Sequence, residues 1–176
     1  MKQFSDKNYW AVILGGSSGF GLATAKKLAA EGMNLCILHR DRRQAAERIE
    51  RDFLALKNCG VQVLSFNLDA TRKDKQLEVV ETLKTALENG GKIRLLLHSI
   101  AKGNLKHLSN STPQSIDYQN LTEDNDLIHS YQKIENATKG TFKETAPILQ
   151  AKDFEITLQN MALSILDWVQ ILVKNN

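Results

Sequence analysis

The chain has 176 residues, 42% of them hydrophobic and 24% charged, with a formal net charge of +3. That is enough for one domain with a buried core and an ordinary soluble composition. So small and dispersed a positive balance, with no Lys/Arg run interleaved with aromatics, excludes a nucleic-acid-binding face.

The first ten residues carry Lys2, Asp6 and Lys7 without the apolar core of a signal peptide. No stretch reads as approaching the roughly 18 apolar residues of a membrane span, so a cytoplasmic protein with no membrane partner is expected. Cys36 lies in an apolar run and Cys59 beside Gly60, with neither metal-ligand spacing nor a disulfide framework. Two reduced thiols and no metal are expected.

Ala11, Val12, Ile13 and Leu14 are four consecutive apolar residues, which predicts a strand covered on both faces. The strand runs into Gly15-Gly16-Ser17-Ser18-Gly19-Phe20-Gly21 and then a helix over 22–30. Gly15 permits the sharp turn, Gly19 lets a bulky anion approach bare backbone, and Gly21 lets the helix pack closely on the strand. The helix dipole and first-turn amides, with the hydroxyls of Ser17 and Ser18, make this a site for a pyrophosphate. An ordinary tight strand-to-helix connection is the plainer alternative.

Residues 34–38 form the second predicted strand, which ends in His39-Arg40-Asp41-Arg42-Arg43. His39 lies 24 positions after Gly15, close to the roughly 20 at which such folds meet the adenosine ribose. An Asp or Glu there would take the ribose 2′-hydroxyl and favour NAD(H), whereas His39 followed by Arg40 suits a 2′-phosphate and favours NADP(H). Arg42 and Arg43 read equally well as the start of a solvated helix.

Apolar spacing predicts a helix over 43–56 with Ala45, Ile49, Phe53 and Leu56 inward, and a third strand over 61–68. A third helix over 75–87 is expected to bury Leu77, Val80, Leu83 and Leu87, followed by a fourth strand over 93–97. Alternating strands and helices argue for a parallel sheet with its binding crevice at the carboxyl ends of the strands. His98-Ser99-Ile100-Ala101 sits at such an end. From 104 to 150 the composition turns polar, and a connection of this length marks an insertion or lid. Residues 153–173 read as a long helix with Met161, Ile165, Trp168, Val169 and Leu172 in one stripe and a second apolar face that needs a partner.

The run from Leu14 to Gly21 resembles the cofactor loop of the short-chain dehydrogenase/reductase family, with Leu14 where that family usually has Thr. The resemblance implies an α/β, Rossmann-like, doubly wound parallel sheet and a nicotinamide dinucleotide. It also implies that Asp69 and the next amide, of Ala70, read the adenine edge, although Asp69 is equally placed to cap the following helix. His98-Ser99-Ile100-Ala101 stands where the family usually has Asn-Asn-Ala-Gly, and is similar to the variant of the enoyl-acyl-carrier-protein reductase branch. That likeness implies support of the adenine ribose; for His98 a catalytic role is the lesser reading beside a hydrogen-bonded structural one. The stretch from Leu158 to Ser164 resembles the family segment whose catalytic Asn holds a proton-relay water, which implies that role for Asn160. A polar residue on an exposed helix side is its alternative. In the family the corresponding helix commonly joins a dimer interface, so a homo-oligomer is expected.

Tyr9, Tyr118 and Tyr131 have no Lys four positions on, so the Ser/Tyr/Lys set of the family finds no match here. The expected sheet is therefore incomplete, with about four to five strands. The expected division is 1–103 for dinucleotide binding, 104–150 for the polar insert and 151–176 for the last helix. The reading that follows is the amino-terminal part of an NADP(H)-dependent oxidoreductase that reduces a carbonyl or enoyl substrate by hydride transfer. A non-catalytic dinucleotide-binding or sensing module is the alternative, and a sugar epimerase-like enzyme a third.

Overall fold

The computed structural model describes residues 2–104, 106, 108, 125–138 and 148–176. In chain order the elements are β1 (Tyr9–Leu14), α1 (Gly19–Ala30), β2 (Asn34–His39), a short 3-10 turn (Arg43–Ala45), α2 (Ala46–Lys57), β3 (Val63–Asn67), α3 (Lys73–Leu87) and β4 (Lys92–His98). Then come α4 (Asn125–Thr138), α5 (Ala151–Leu158), a π-helical turn (Gln159–Leu163) and α6 (Ser164–Asn175). They divide into two compact units, residues 1–102 with 158–176, and residues 103–157. The last helix thus belongs with the sheet from residue 158 onward.

The four strands form one parallel sheet in the order β3-β2-β1-β4. β1 is central, and its alternating side chains enter two different cores. Trp10, Val12 and Leu14 join Cys36, Leu38, Val79, Val80, Leu83, Trp168 and Leu172 on one face. Ala11 and Ile13 join Leu22, Ala25, Leu35, Ile37, Ile49, Phe53 and Leu56 on the other. A strand buried on both sides is why residues 11–14 carry no polar alternation. Cys36, inside this core, has its thiol pushed up to about 12 by burial and stays protonated.

Two expected helix faces are shifted. Leu77 is exposed, and the buried face of α3 is Gln76, Val79, Val80 and Leu83. Gln76 is tolerated there because its Nε2 donates to the Ala70 carbonyl at 3.0 Å. In the last helix the buried line runs Asn160, Ser164, Trp168 and Leu172, leaving Met161, Ile165 and Val169 partly in solvent. The π turn holds Asn160 on this side, and in α6 the ordinary four-residue spacing continues the line through Ser164, Trp168 and Leu172. The indole of Trp168, fully buried, donates to the same Ala70 carbonyl at 2.8 Å.

Residues 151–175 are helical throughout and reach a mean hydropathy of 1.4 over 18 residues, long and apolar enough to cross a membrane by length and composition. This overturns the expectation that no stretch qualifies; the apolar residues are spread around the helix instead of standing in one uninterrupted run. Leu166 and Val173 are exposed on it.

In the second unit the buried Asp153 carboxylate accepts from Lys106 at 2.8 Å, from Asn104 at 2.9 Å and from the Gln150 amide at 3.0 Å. Lys106 first, then these donors, hold its pKa at about 2. Residues 109–124 and 139–147 of the expected polar insert, Tyr118 among them, lie outside the described residues.

Trp168→Ala removes the largest side chain that α6 places in the core and one donor to Ala70, so urea unfolding should show a loss of about 3–5 kcal/mol. A loss under about 1 kcal/mol would show that α6 does not complete this core.

Candidate functional site

Parallel register brings the strand ends together. Leu14 pairs with both Leu38 and His98, and His39 pairs with Asn67. Beyond the last pairs the backbone continues the ladder: Gly15 N donates to Leu38 O at 2.8 Å, Ser99 N to Leu14 O at 2.7 Å and Leu68 N to His39 O at 2.8 Å. Four segments far apart in the chain therefore border one cavity of about 550 Å³.

The glycine-rich loop forms its floor. Gly15 has φ +88°, and a Cβ there would stand 2.5 Å from the Ser99 carbonyl oxygen. A Cβ on Gly21 would stand 2.1 Å from the Gly15 carbonyl oxygen, so only glycine lets α1 begin this close to β1. Gly19, with φ +53°, would point a Cβ into open space, the geometry of a position left clear for a ligand. α1 begins at Gly19, three residues earlier than its sequence pattern suggests, so the loop's own amides form the first helical turn. That turn carries no acidic residue, and Ser18 makes no side-chain cap bond. Amides and dipole are thus left to an anion. Phe20 is 87% exposed at the cavity wall, and Arg48 of α2 steadies the loop by donating to Ser17 O at 2.9 Å.

Of the residues singled out in the sequence, Gly15, Ser17, Ser18, Gly19, Phe20, His39, Arg40, Asp69, Ala70, Ser99, Ile100, Ala101 and Asn160 all line this cavity. Asn160 is buried in the π turn, not on an exposed helix side. Gly21 lies beneath the floor as a packing residue. His98 does not line the cavity, against its assignment to the cofactor site. Successive strand side chains point to opposite faces, and His98 turns toward α6, where its Nε2 lies 2.7 Å from Ser164 Oγ. Ser164 spends its single hydroxyl proton on the Asn160 carbonyl at 2.8 Å, so His98 Nε2 is the donor. Arg42 and Arg43 are not among the lining residues.

The rim is ionic. Arg40 Nη1 donates to Asp69 Oδ2 at 2.5 Å, while Asp69 Oδ1 accepts from the Thr71 amide at 3.0 Å and its hydroxyl at 2.6 Å. Asp41 Oδ2 meets His39 Nδ1 at 2.9 Å. For both carboxylates partial burial favours the neutral acid, but the bonds outweigh it and the pKa falls. The bonds come from Thr71 and Arg40 to Asp69, with the Lys102 charge adding to them, and from Ser17 and His39 to Asp41. Asp41, Thr71 and Lys102 line the cavity without having been assigned a role from sequence. Asp41 and Lys102 do adjoin the segments that were, and adjacency to a strand end is the signal that would have found them.

Residues 9–122 match the short chain dehydrogenase family, and the chain belongs to it. A 3-dehydrosphinganine reductase of Arabidopsis thaliana is 30% identical over 131 residues, covering 74% of this chain and 36% of its own length. Among solved structures, a 3-oxoacyl-acyl-carrier-protein reductase from Brucella melitensis superposes with a TM-score of 0.60 at 19% identity, over 94% of this chain and 49% of that one. An alcohol dehydrogenase from Thermococcus sibiricus, complexed with 5-hydroxy-NADP, gives 0.59 at 18%, over 95% and 52%. These structures share the fold. The chain spans less than half the length of the curated relatives it matches.

Because the pKa values of Asp41 and Asp69 are lowered on folding, their contribution to stability is complete above the ordinary value of 3.8 and is lost as the pH falls below it. Thermal melts of Asp69→Asn should therefore decline less steeply than the parent's below about pH 4; parallel declines would remove Asp69 from this ionic rim.

Proposed function

We propose that this chain binds NADP(H) in the cavity at the carboxyl ends of its strands, as the cofactor-binding part of an oxidoreductase that reduces a small carbonyl or enoyl substrate. The observation that carries it is the cradle at Gly15, Gly19 and Gly21, where a side chain would clash or would fill the space kept open. In that reading the amides of Gly19 and Phe20, with Ser17 and Ser18, hold the pyrophosphate. Asp69 and Ala70 meet the adenine, and His39 and Arg40 the adenosine ribose with its 2′-phosphate. Ser99, Ile100 and Ala101 support the sugar side. Bound nicotinamide would supply the hydride. Asn160, buried at the cavity wall, is the residue for a proton-relay water. His98 acts behind it, through Ser164, as a structural clamp on the π turn.

Family membership supports oxidoreductase chemistry on small molecules, and the ligand of the Thermococcus sibiricus structure supports the 2′-phosphorylated cofactor. Self-association through the exposed apolar side of the last helix and a cytoplasmic location complete the proposal; Leu166 and Val173 are the residues that would be covered. A dinucleotide-binding module without its own chemistry is the second reading. It is favoured by the lack of a Tyr with Lys four positions on in this sequence.

Titration with NADPH and with NADH, followed by nicotinamide fluorescence, tests the cofactor. NADPH should bind the more tightly, and Arg40→Asp should weaken it about tenfold or more while sparing NADH, since a phosphate loses a charge-assisted donor and a hydroxyl does not. Equal loss of both would refute the role of Arg40. Oxidation of NADPH on addition of a ketone or enoyl thioester would decide for the enzyme over the module.

A further inference from the structure

The loop from Gly15 to Gly21 is held in two halves. The amides of Gly15 and Gly16 both donate to Leu38 O of β2, at 2.8 and 3.1 Å, and are committed there. Among the described residues the amides from Ser17 to Gly21 have no backbone acceptor, so they are the donors the loop leaves open. One contact from outside the loop decides which way Ser18 points its amide. Arg48 of α2 donates from Nη1 to the Ser17 carbonyl at 2.9 Å. Ser17 and Ser18 line the cavity and Arg48 does not, so that carbonyl is turned away from the cavity, toward α2. Among the described residues no peptide bond is cis. In a planar trans peptide C=O and N–H point in opposite directions, and the Ser17 carbonyl shares its peptide with the Ser18 amide. Holding the one outward aims the other inward. Arg48 is aligned in turn by Asp52, whose Oδ2 stands 3.5 Å from its Nη1 while Oδ1 takes Lys26 Nζ of α1 at 2.8 Å. The side chains of Arg48 and Lys26 are 44% and 52% exposed, and ion pairs so exposed add little to stability.

We propose that Arg48 is a positioning residue for the cofactor, orienting the peptide between Ser17 and Ser18 so that the Ser18 amide faces the pyrophosphate. The inference rests on the cofactor reading given above. A guanidinium on the carbonyl also polarises the peptide, which makes the amide on its far side a stronger donor. Arg48 stands behind the loop and acts on the ligand through this one peptide unit.

Two ligands separate this role from a general effect on the site. NADPH carries the pyrophosphate, whereas adenosine 2′-monophosphate carries the adenine and the 2′-phosphate without a 5′-phosphate. Calorimetric titration of Arg48→Met in the full chain should show NADPH weakened about tenfold, the size of one charge-assisted hydrogen bond, and adenosine 2′-monophosphate unchanged. The second ligand also reads, separately, the Arg48 charge that reaches Asp41 at the rim. Arg48→Lys, which can still donate to the Ser17 carbonyl, should recover part of the loss. Amide hydrogen exchange reads the peptide itself: NADPH should slow exchange at Ser18 in the parent and not in Arg48→Met, while Gly15 and Gly16 stay protected in both. Equal weakening of the two ligands, unchanged NADPH affinity, or slowed exchange at Ser18 that persists in Arg48→Met overturns the positioning role and leaves the cofactor reading intact. Loss of protection at Gly15 and Gly16 in Arg48→Met overturns it too, since Arg48 would then hold the fold of the loop. A parent chain that binds neither ligand overturns the cofactor reading and the positioning role with it.

Discussion

The close approach of Gly21 to the Gly15 carbonyl is the constraint on which the rest of the unit depends. With a Cβ at Gly21 2.1 Å from that oxygen, α1 could not start at Gly19, and the loop between would lengthen or tilt away. The helix begins there because three glycines remove three side chains at the points where backbone meets backbone or where space is kept open. β1, buried on both faces, holds the other end of the contact rigidly. A loop tightened in this way presents amides in place of side chains, which suits a large anion better than any arrangement of Lys or Arg on flexible stems.

A second set of contacts supports the cavity from behind. The Ala70 carbonyl accepts from both Trp168 and Gln76, so the segment after β3 is anchored to α6 and α3 at one atom. On the neighbouring side His98 donates to Ser164, and Ser164 to the Asn160 carbonyl. The π turn that places Asn160 is thereby joined to the end of β4. Among the described residues no buried side-chain nitrogen or oxygen lacks a partner. Polar groups that would be costly in a core instead determine where the cavity wall stands.

Charge organises the rim in a different manner. Asp41 and Asp69 stay ionised because hydrogen bonds outweigh their partial burial, and Arg40 and Lys102 stand beside them with the opposite sign. The rim thus carries both signs, with Arg40 paired to Asp69 and the Lys102 charge acting on the same carboxylate. At the floor of the cavity the first turn of α1 carries no acidic residue and Ser18 makes no side-chain cap bond, so the helix end is open to an anion.

The sequence by itself determined the βα alternation, the doubly covered central strand, the glycine cradle and most of the residues that meet in the cavity. Local chemistry suffices for these: apolar runs and helical stripes report burial, and glycine at Gly15 and Gly21 reports close backbone contact. Only the tertiary structure decided the direction of His98, the partners of Arg40 and the inward face of the last helix. The family likeness put His98 in the cofactor site, while its place at a strand end read as a hydrogen-bonded structural residue; its partner, Ser164 of α6, is supplied by the tertiary structure. Asn160 read either as the family's catalytic Asn or as a polar residue on an exposed helix side, and it is buried in a π turn, in line with Ser164, Trp168 and Leu172. Each of these outcomes depends on a partner 29 or more positions away, as Asp69 is from Arg40, and no local pattern encodes which distant group a side chain will meet.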